Sequence, residues 1–514
     1  MQRPLLLTLL ILLLVACAPS PGPLPTAPVL QLTRVLTATP SPAATTEPTF
    51  TPPPTPGGIR PTANPPRPAV PDLGDGWYPL YLTLQPGDDL GLLAARYGIS
   101  LDQIRAANNA TSGQVFQPGQ VVIVPQRAET VSPPLKLIPD SELVYSPAAA
   151  NFDIAQVVRQ SRGYLWQHRE IVNGVERTGA EIVSDIAATY SINPRLLLAV
   201  IEYQSGWLTQ RDQPTTDRLQ APLFAATGRS GLHGQLTWLA SRLNHYFYLW
   251  RASQLSLILL SDGRRVALHP TLNAGTAALQ AVLAELYRAE SWPRTVRATG
   301  FAATYADLFG DPFTNAIEPL IPPDLTQPDL ILPWSQGETW YYVGGPHPAY
   351  GAGTPWAAID FAPPDKNVGC YTSAHPVTAA APGVVARTDF GLVEVDLDTP
   401  TTPADGDPTT GWTLIYLHLD DSTKVGLGFR IAPGGYIGYP SCDGGLAEGA
   451  HLHLARKYNG LWVSLADVPF VLGGWQVEPG LFEYDGFLLP ADSSLTTREA
   501  CDCRNLALNG LTRE

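Results

Sequence analysis

The chain is poor in charge. Only 15% of its 514 residues are charged, and 32 Lys and Arg face 46 Asp and Glu, a net charge of −14. A nucleic-acid binder usually shows a basic face, so the balance argues against that class. Attraction to an acidic polymer cannot be mainly Coulombic either. Cysteine is scarce. Five residues are too few for a disulfide-dense scaffold, which leaves hydrophobic cores to hold the domains together. No segment reaches 18 uninterrupted apolar residues, the minimum for a spanning helix. Proline is abundant instead, with 52 residues beside 45 glycines and 45% hydrophobic residues. The length fits about three domains plus linker.

Residues 1–17 read as a targeting segment. An apolar run from Leu5 to Ala16, broken only by Thr8, closes on Leu14-Val15-Ala16-Cys17. It is shorter than a membrane span and reads as an export signal. With Cys at the cleavage point it resembles the bacterial lipoprotein signal. That resemblance implies cleavage before Cys17, diacylglycerol on its sulfur and an extracytoplasmic, lipid-anchored protein. Residues 18–75 hold about a third of the prolines, many beside Thr or Ser. Such a segment has little to bury and forms an extended tether with a reach on the order of 150 Å.

Residues 76–127 show a β-α-α-β order. Tyr78–Leu84 alternates weakly, as a strand does. Leu90, Leu93, Ala94 and Tyr97, then Leu101, Ile104 and Ala107, follow helical spacing. Val121–Val124 is a β-branched run entered through Pro118-Gly119. Pro86-Gly-Asp-Asp-Leu90, Tyr97-Gly-Ile-Ser100, Asn108, Pro118-Gly-Gln120 and Ile123-Val-Pro125 resemble the LysM module over the whole segment. The resemblance implies binding of N-acetylglucosamine-containing glycan, such as peptidoglycan. The groove would lie between the loop carrying Gly87, Asp88, Asp89 and Leu90 and the loop carrying Asn109, Ala110 and Thr111. Main-chain donors and acceptors there can bond acetamido groups without charge. Asp89 also suits a helix N-cap.

Residues 150–325 contain helical patterns at 179–190, 194–206, 234–250 and 275–288. Asn193-Pro194 is a start signal, an N-cap followed by Pro at the first helical position. Tyr190–Trp207 resembles the core helix of lysozyme-like lytic transglycosylases, whose general acid is a Glu before Ser-Gly. Here that position is Gln204, ahead of Ser205-Gly206. An amide cannot donate and retake a proton as a carboxyl does. Glu202 lies about 200° around the helix and cannot simply stand in. The domain therefore reads as a degenerate relative that binds or spaces. Trp207, Trp238 and Trp250 fit core packing better than sugar stacking.

Chemistry concentrates in residues 330–490. Five of nine histidines fall between His347 and His453. Gly345-Pro-His347 precedes Ala358-Ile-Asp360. Tyr416-Leu-His418-Leu and His451-Leu-His453-Leu follow. In a strand, residues i and i+2 share a face, so His451 and His453 project together, about 7 Å apart at Cα, while Leu452 and Leu454 face the core. Two His and one Asp suit zinc and leave a fourth position for water. This ordered set resembles the M23 zinc metallopeptidases, the LytM/lysostaphin-like group. Carried over by position, the resemblance implies Zn2+ on His347, Asp360 and His453, with His418 and His451 as the catalytic pair. One departure stands out. Twelve residues separate His347 from Asp360, against three in the commonest form of the motif, so the carry-over to His347 has to span a longer loop. His375 reads as structural or surface, and 396–407 as a solvated hairpin loop. Export makes disulfides possible among Cys370, Cys442, Cys501 and Cys503. Cys370–Cys442 is favoured because both lie near the proposed site.

The expected architecture is multidomain α+β: a βααβ LysM module, an all-α lysozyme-like middle domain and a C-terminal antiparallel all-β peptidase domain, with a tail at 491–514. The expected function is zinc-dependent hydrolysis of peptidoglycan stem peptides or cross-bridges. Partners are the glycan and stem peptide, and the membrane through Cys17, with no nucleic acid. Two rivals are a non-cutting scaffold that activates another hydrolase and a glycan lyase acting through Glu202.

Overall fold

The structure, a computed structural model, describes residues 72–514 apart from 225, 226 and 352. The export segment, Cys17 and all but the end of the proline-rich tether lie outside the described residues. Among the described residues, no helix is long and apolar enough to cross a membrane.

The LysM segment folds as its periodicity demands. Strand Trp77–Thr83 pairs antiparallel with Val121–Arg127, and helices Leu90–Tyr97 and Leu101–Ala107 lie between them in sequence. Asp89 caps the first helix, its carboxylate accepting the Leu92 N–H at 2.8 Å. Gly98 ends that helix in the left-handed region at φ 65°, where glycine carries no Cβ penalty. Ser100 and Gln103 form a reciprocal capping box on the second. Buried Asn108 stitches helix to strand. Its amide donates to the Ile104 and Ile123 carbonyls and accepts the Ile123 N–H.

The middle domain holds the expected helices, at Gly179–Tyr190, Pro194–Ser205, Gly231–Arg251 and Ala274–Leu286, with Ile154–Ser161 and Phe301–Phe309 beside them. Asn193 caps the second through the Arg195 N–H at 2.9 Å. The domain is not all-α. It also carries two hairpins, Arg169–Val172 with Val175–Thr178 and Leu257–Leu259 with Arg265–Ala267. These strands are three or four residues long, too short to set up an alternating pattern.

The C-terminal domain is built around an antiparallel nine-stranded sheet, with a four-stranded sheet over residues 471–499 and a two-stranded one, Val377–Thr378 with Tyr436–Gly438, beside it. The order of the largest sheet runs Arg430–Ile431, Gly383–Asp389, Leu392–Leu397, Trp412–Leu417, Leu452–Tyr458, Trp356–Ala362, Thr339–Pro348 and Gly510–Thr512, with Leu461–Trp462 paired to the Leu452–Tyr458 strand. The tail is part of this sheet, because Leu511 pairs with Trp340. Cys370 is bonded to Cys442 and Cys501 to Cys503. Val393, Val395, Leu414, Tyr416, Leu452 and Leu454 face one core. Leu392, Ile415, Leu417 and Ala455 face the other way and join the core of the helical domain. Polar ties reinforce that seam. The Trp462 N–H donates to the Tyr248 hydroxyl at 3.0 Å, and Arg251 pairs with Asp467 at 2.7 Å. The middle domain is thus packed onto the sheet.

Candidate metal centre

Register brings the first three candidates together. His453, on the strand Leu452–Tyr458, stands directly opposite Asp360 on Trp356–Ala362. Asp360 in turn pairs with Gly344 on Thr339–Pro348, the strand that ends beyond His347. Three adjacent strands therefore deliver His347, Asp360 and His453 to one spot. One donor atom from each lies within 4.8 Å of the other two. The long His347–Asp360 excursion is no obstacle, because the returning strand restores the pairing. Gly344 must be small, since a Cβ there would sit 2.5 Å from Asp360 Oδ2.

Hydrogen bonding fixes which atoms face the centre. His347 Nδ1 donates to the Gly345 carbonyl at 2.8 Å, so its Nε2 keeps a lone pair. His453 Nε2 donates to the Ala349 carbonyl at 2.9 Å, so its Nδ1 keeps one too. These two bare nitrogens stand 3.0 Å apart. Asp360 Oδ1 lies 3.2 Å from His453 Nδ1 and 3.4 Å from His347 Nε2, is buried, and accepts no hydrogen bond. Two lone pairs and an orphaned carboxylate oxygen repel one another unless a cation lies among them. The donor set, two imidazole nitrogens and one carboxylate oxygen, suits zinc.

The second pair stands beside the first. His418 and His451 have ring centroids 4.6 Å apart, and His418 and His453 are 5.9 Å apart. His451 Nε2 is 3.8 Å from Asp360 Oδ1. His418 Nδ1 donates to the Asp443 carbonyl at 3.0 Å, and His451 Nδ1 to the Gly449 carbonyl at 2.8 Å. His418 has φ 63°, a strained left-handed conformation for a non-glycine residue, of the kind that gathers at functional sites.

Burial sets the electrostatics. It pushes His347 down to about 4 and His418 down to about 3, helped by neighbouring imidazoles, so both are neutral at physiological pH. Burial alone would raise Asp360, but in acid, where the imidazoles of His347, His451 and His453 take up charge, they hold it well below the usual carboxylate range.

Tyr484, missed in the sequence, stacks on His347 with centroids 4.3 Å apart. It arrives on the loop after Trp475–Pro479, over a hundred residues from His347, and carries no motif. His375 is elsewhere, its Nδ1 3.0 Å from Glu338. Asp396 accepts the N–H groups of Asp405 and Gly406, so the 396–407 loop is closed on itself. In the LysM segment, Gly87 has φ 91° and Asn109 φ 50°. Asp88 accepts the Gln85 N–H, and Leu90 is buried in the module's core. Asp88, Asp89 and Leu90 are thus scaffold through their side chains, and only main-chain groups there remain for a glycan. Ala110 packs against the same core, and the Thr111 N–H is taken by the Gln114 side chain.

Glu202 is fully employed. Its carboxylate accepts the N–H groups of Leu208 and Thr209, at 3.0 and 3.1 Å, and the Thr209 hydroxyl. Gln204 donates to Tyr287. Trp207 is buried, and Trp238 and Trp250 pack against the domain core.

The LysM domain family matches residues 82–125, and the family described as LasA, N-terminal domain matches residues 136–323. Protease LasA from two strains of Pseudomonas aeruginosa is 29% identical over 329 residues, covering 60% of this chain and 72% of the relative. Among solved structures, the M23 metalloprotease pseudoalterin from the deep sea is 26% identical, covering 35% of this chain and 98% of its own, with a TM-score of 0.28. The catalytic domain of lysostaphin from Staphylococcus simulans is 22% identical, over 25% of this chain and 89% of its own, with a TM-score of 0.17. The LysM segment, the LasA-type segment behind it and the 29% identity make this chain a LysM-containing relative of protease LasA.

Proposed function

We propose that the chain is an exported zinc-dependent endopeptidase that hydrolyses the stem peptides or cross-bridges of peptidoglycan. It is held at a membrane by lipid on Cys17 and on the glycan by its LysM module. One observation carries the reading: His347 Nε2, His453 Nδ1 and the orphaned Asp360 Oδ1 converge with no proton to share. These three residues would hold the zinc, which when bound lowers the pKa of a water and polarises a carbonyl.

The remaining work falls to the chain's own side chains. His418 and His451 have Nδ1 committed to carbonyls, which leaves a bare Nε2 to accept a proton from the attacking water and, once protonated, to donate it to the developing oxyanion or the leaving amine. Because His418 is held neutral, it serves as an acceptor at physiological pH. Joining a sugar-binding module to the site raises local substrate concentration without new contacts at the reacting bond.

Purified wall incubated with the protein tests the reading. New free amino groups, abolished by a chelator and restored by zinc, are expected. Anhydro-sugar ends would point to a lyase, and no new ends of either kind to a scaffold.

A further inference from the structure

We infer that the loop spanning residues 443–449, stapled at its start by Cys370–Cys442, is the positioning element that sets both imidazoles of the catalytic pair. The inference rests on the proposed peptidase reading and adds the device that keeps the pair aimed. One short loop supplies both orienting acceptors. The Asp443 carbonyl takes the His418 Nδ1–H, and six residues later the Gly449 carbonyl takes the His451 Nδ1–H. The two rings therefore share a tautomer, with Nε2 free, only while both ends of the loop keep their places.

Side-chain packing does not hold the loop there. Its sequence is Asp-Gly-Gly-Leu-Ala-Glu-Gly, with Gly444 and Gly445 at φ 80° and 130°. Leu446, its largest apolar side chain, is 101% exposed, and Val368, on the facing loop, is 89% exposed. Apart from Gly444, which is buried against Phe390, Gly391 and Leu417, this glycine-rich chain has no buried anchor and much conformational entropy to lose. Two restraints, one covalent and one main-chain, come from the 369–370 segment. Cys370 is bonded to Cys442, just before Asp443, and the Gly369 carbonyl accepts the Ala450 N–H, just after Gly449, at 3.0 Å. Asp443 is steadied further by the Asp421 N–H on its carboxylate at 3.0 Å. The three zinc-holding candidates do not use this loop. Their orienting carbonyls are Gly345 and Ala349. Losing the staple should therefore disturb the pair and spare the metal.

The test is the full-chain double variant Cys370→Ala/Cys442→Ala, with Cys501→Ala/Cys503→Ala as the control that loses the other disulfide. The expected result is a kcat on cross-linked wall peptide lower by about 10- to 100-fold, the usual scale for removing an orienting partner. KM and the zinc affinity, read by competition with a chromogenic chelator, stay unchanged, and the control behaves as wild type. An unchanged kcat overturns the inference, as does zinc affinity falling together with kcat. If the double variant does not fold, Gly445→Pro redirects the loop with the staple intact, and the same split between kcat and zinc affinity is required. Nitrogen-15 NMR of the histidine rings separates this idea from the peptidase reading. In wild-type protein both His418 and His451 must carry the proton on Nδ1, whether or not the wall is cut. An Nε2–H signal from either ring overturns the positioning role.

Discussion

Two carboxylates invite comparison. Glu202 sits on a helix whose sequence resembles that of a glycan-cleaving enzyme, and Asp360 sits on a strand between two others. Glu202 receives two main-chain N–H groups and a hydroxyl, so its charge is spent closing the turn at Leu208 and Thr209. Asp360 is buried, faces imidazole nitrogens that have no proton for it, and leaves Oδ1 without a hydrogen bond. A satisfied acceptor is scaffold. A buried acceptor without a donor costs about 1–3 kcal/mol or more, and persists where something outside the chain completes it.

The contrast can be broken in four places. The largest effect is expected from His453→Ala, which removes one side of the cage. Bound zinc, measured by elemental analysis, falls to background, and peptide hydrolysis falls with it. Zinc retained at wild-type stoichiometry would overturn the cage. His418→Ala should keep the zinc and lower kcat by about 10²- to 10⁴-fold, the range for a positioned acid or base. A smaller effect is expected on pH. His347 and His418 are held neutral, with folded pKa values of about 4 and about 3 against about 6.5 for a free imidazole. Below pH 6.5 the unfolded chain gains protons that the fold refuses. Stability of the zinc-free protein should therefore fall as pH drops from about 6.5 to about 4, by a few kcal/mol. Asp360, whose folded pKa is depressed, adds a loss in the same direction at lower pH. A denaturation midpoint flat across that window would contradict the burial assigned to these rings. Glu202→Gln should leave wall hydrolysis unchanged and cost about 1–3 kcal/mol, as for a hydrogen bond to a charged group. Any loss of glycan-cleaving activity in that variant would reopen the lyase reading.

Much of this was legible in the sequence. His451-Leu-His453 announced a shared face because strand period is two, and register then carried Asp360 opposite His453. The LysM caps were readable because Asp89, Ser100 and Gln103 are residue types whose short polar side chains reach main-chain N–H groups. What stayed hidden was main-chain or remote. The carbonyls of Gly345, Ala349, Asp443 and Gly449 orient all four imidazoles, and a carbonyl has no residue-type signature. Tyr484 reaches His347 from a loop with no pattern of its own. The partnership of sheet and helices left a trace that went unread. Trp412–Leu417 runs apolar on both faces instead of alternating, which is how a strand covered on two sides reads.

That double covering bears on how the molecule can be taken apart. Leu392, Ile415, Leu417 and Ala455 meet helices on the side of the sheet that also bears His453, so the half that carries the histidine cluster borrows a wall from its neighbour. A gene trimmed to begin near residue 330 would hand water a greasy plane of the kind that drives polypeptides to clump. Protein engineers trimming this chain would do better to shed the LysM module than the helices.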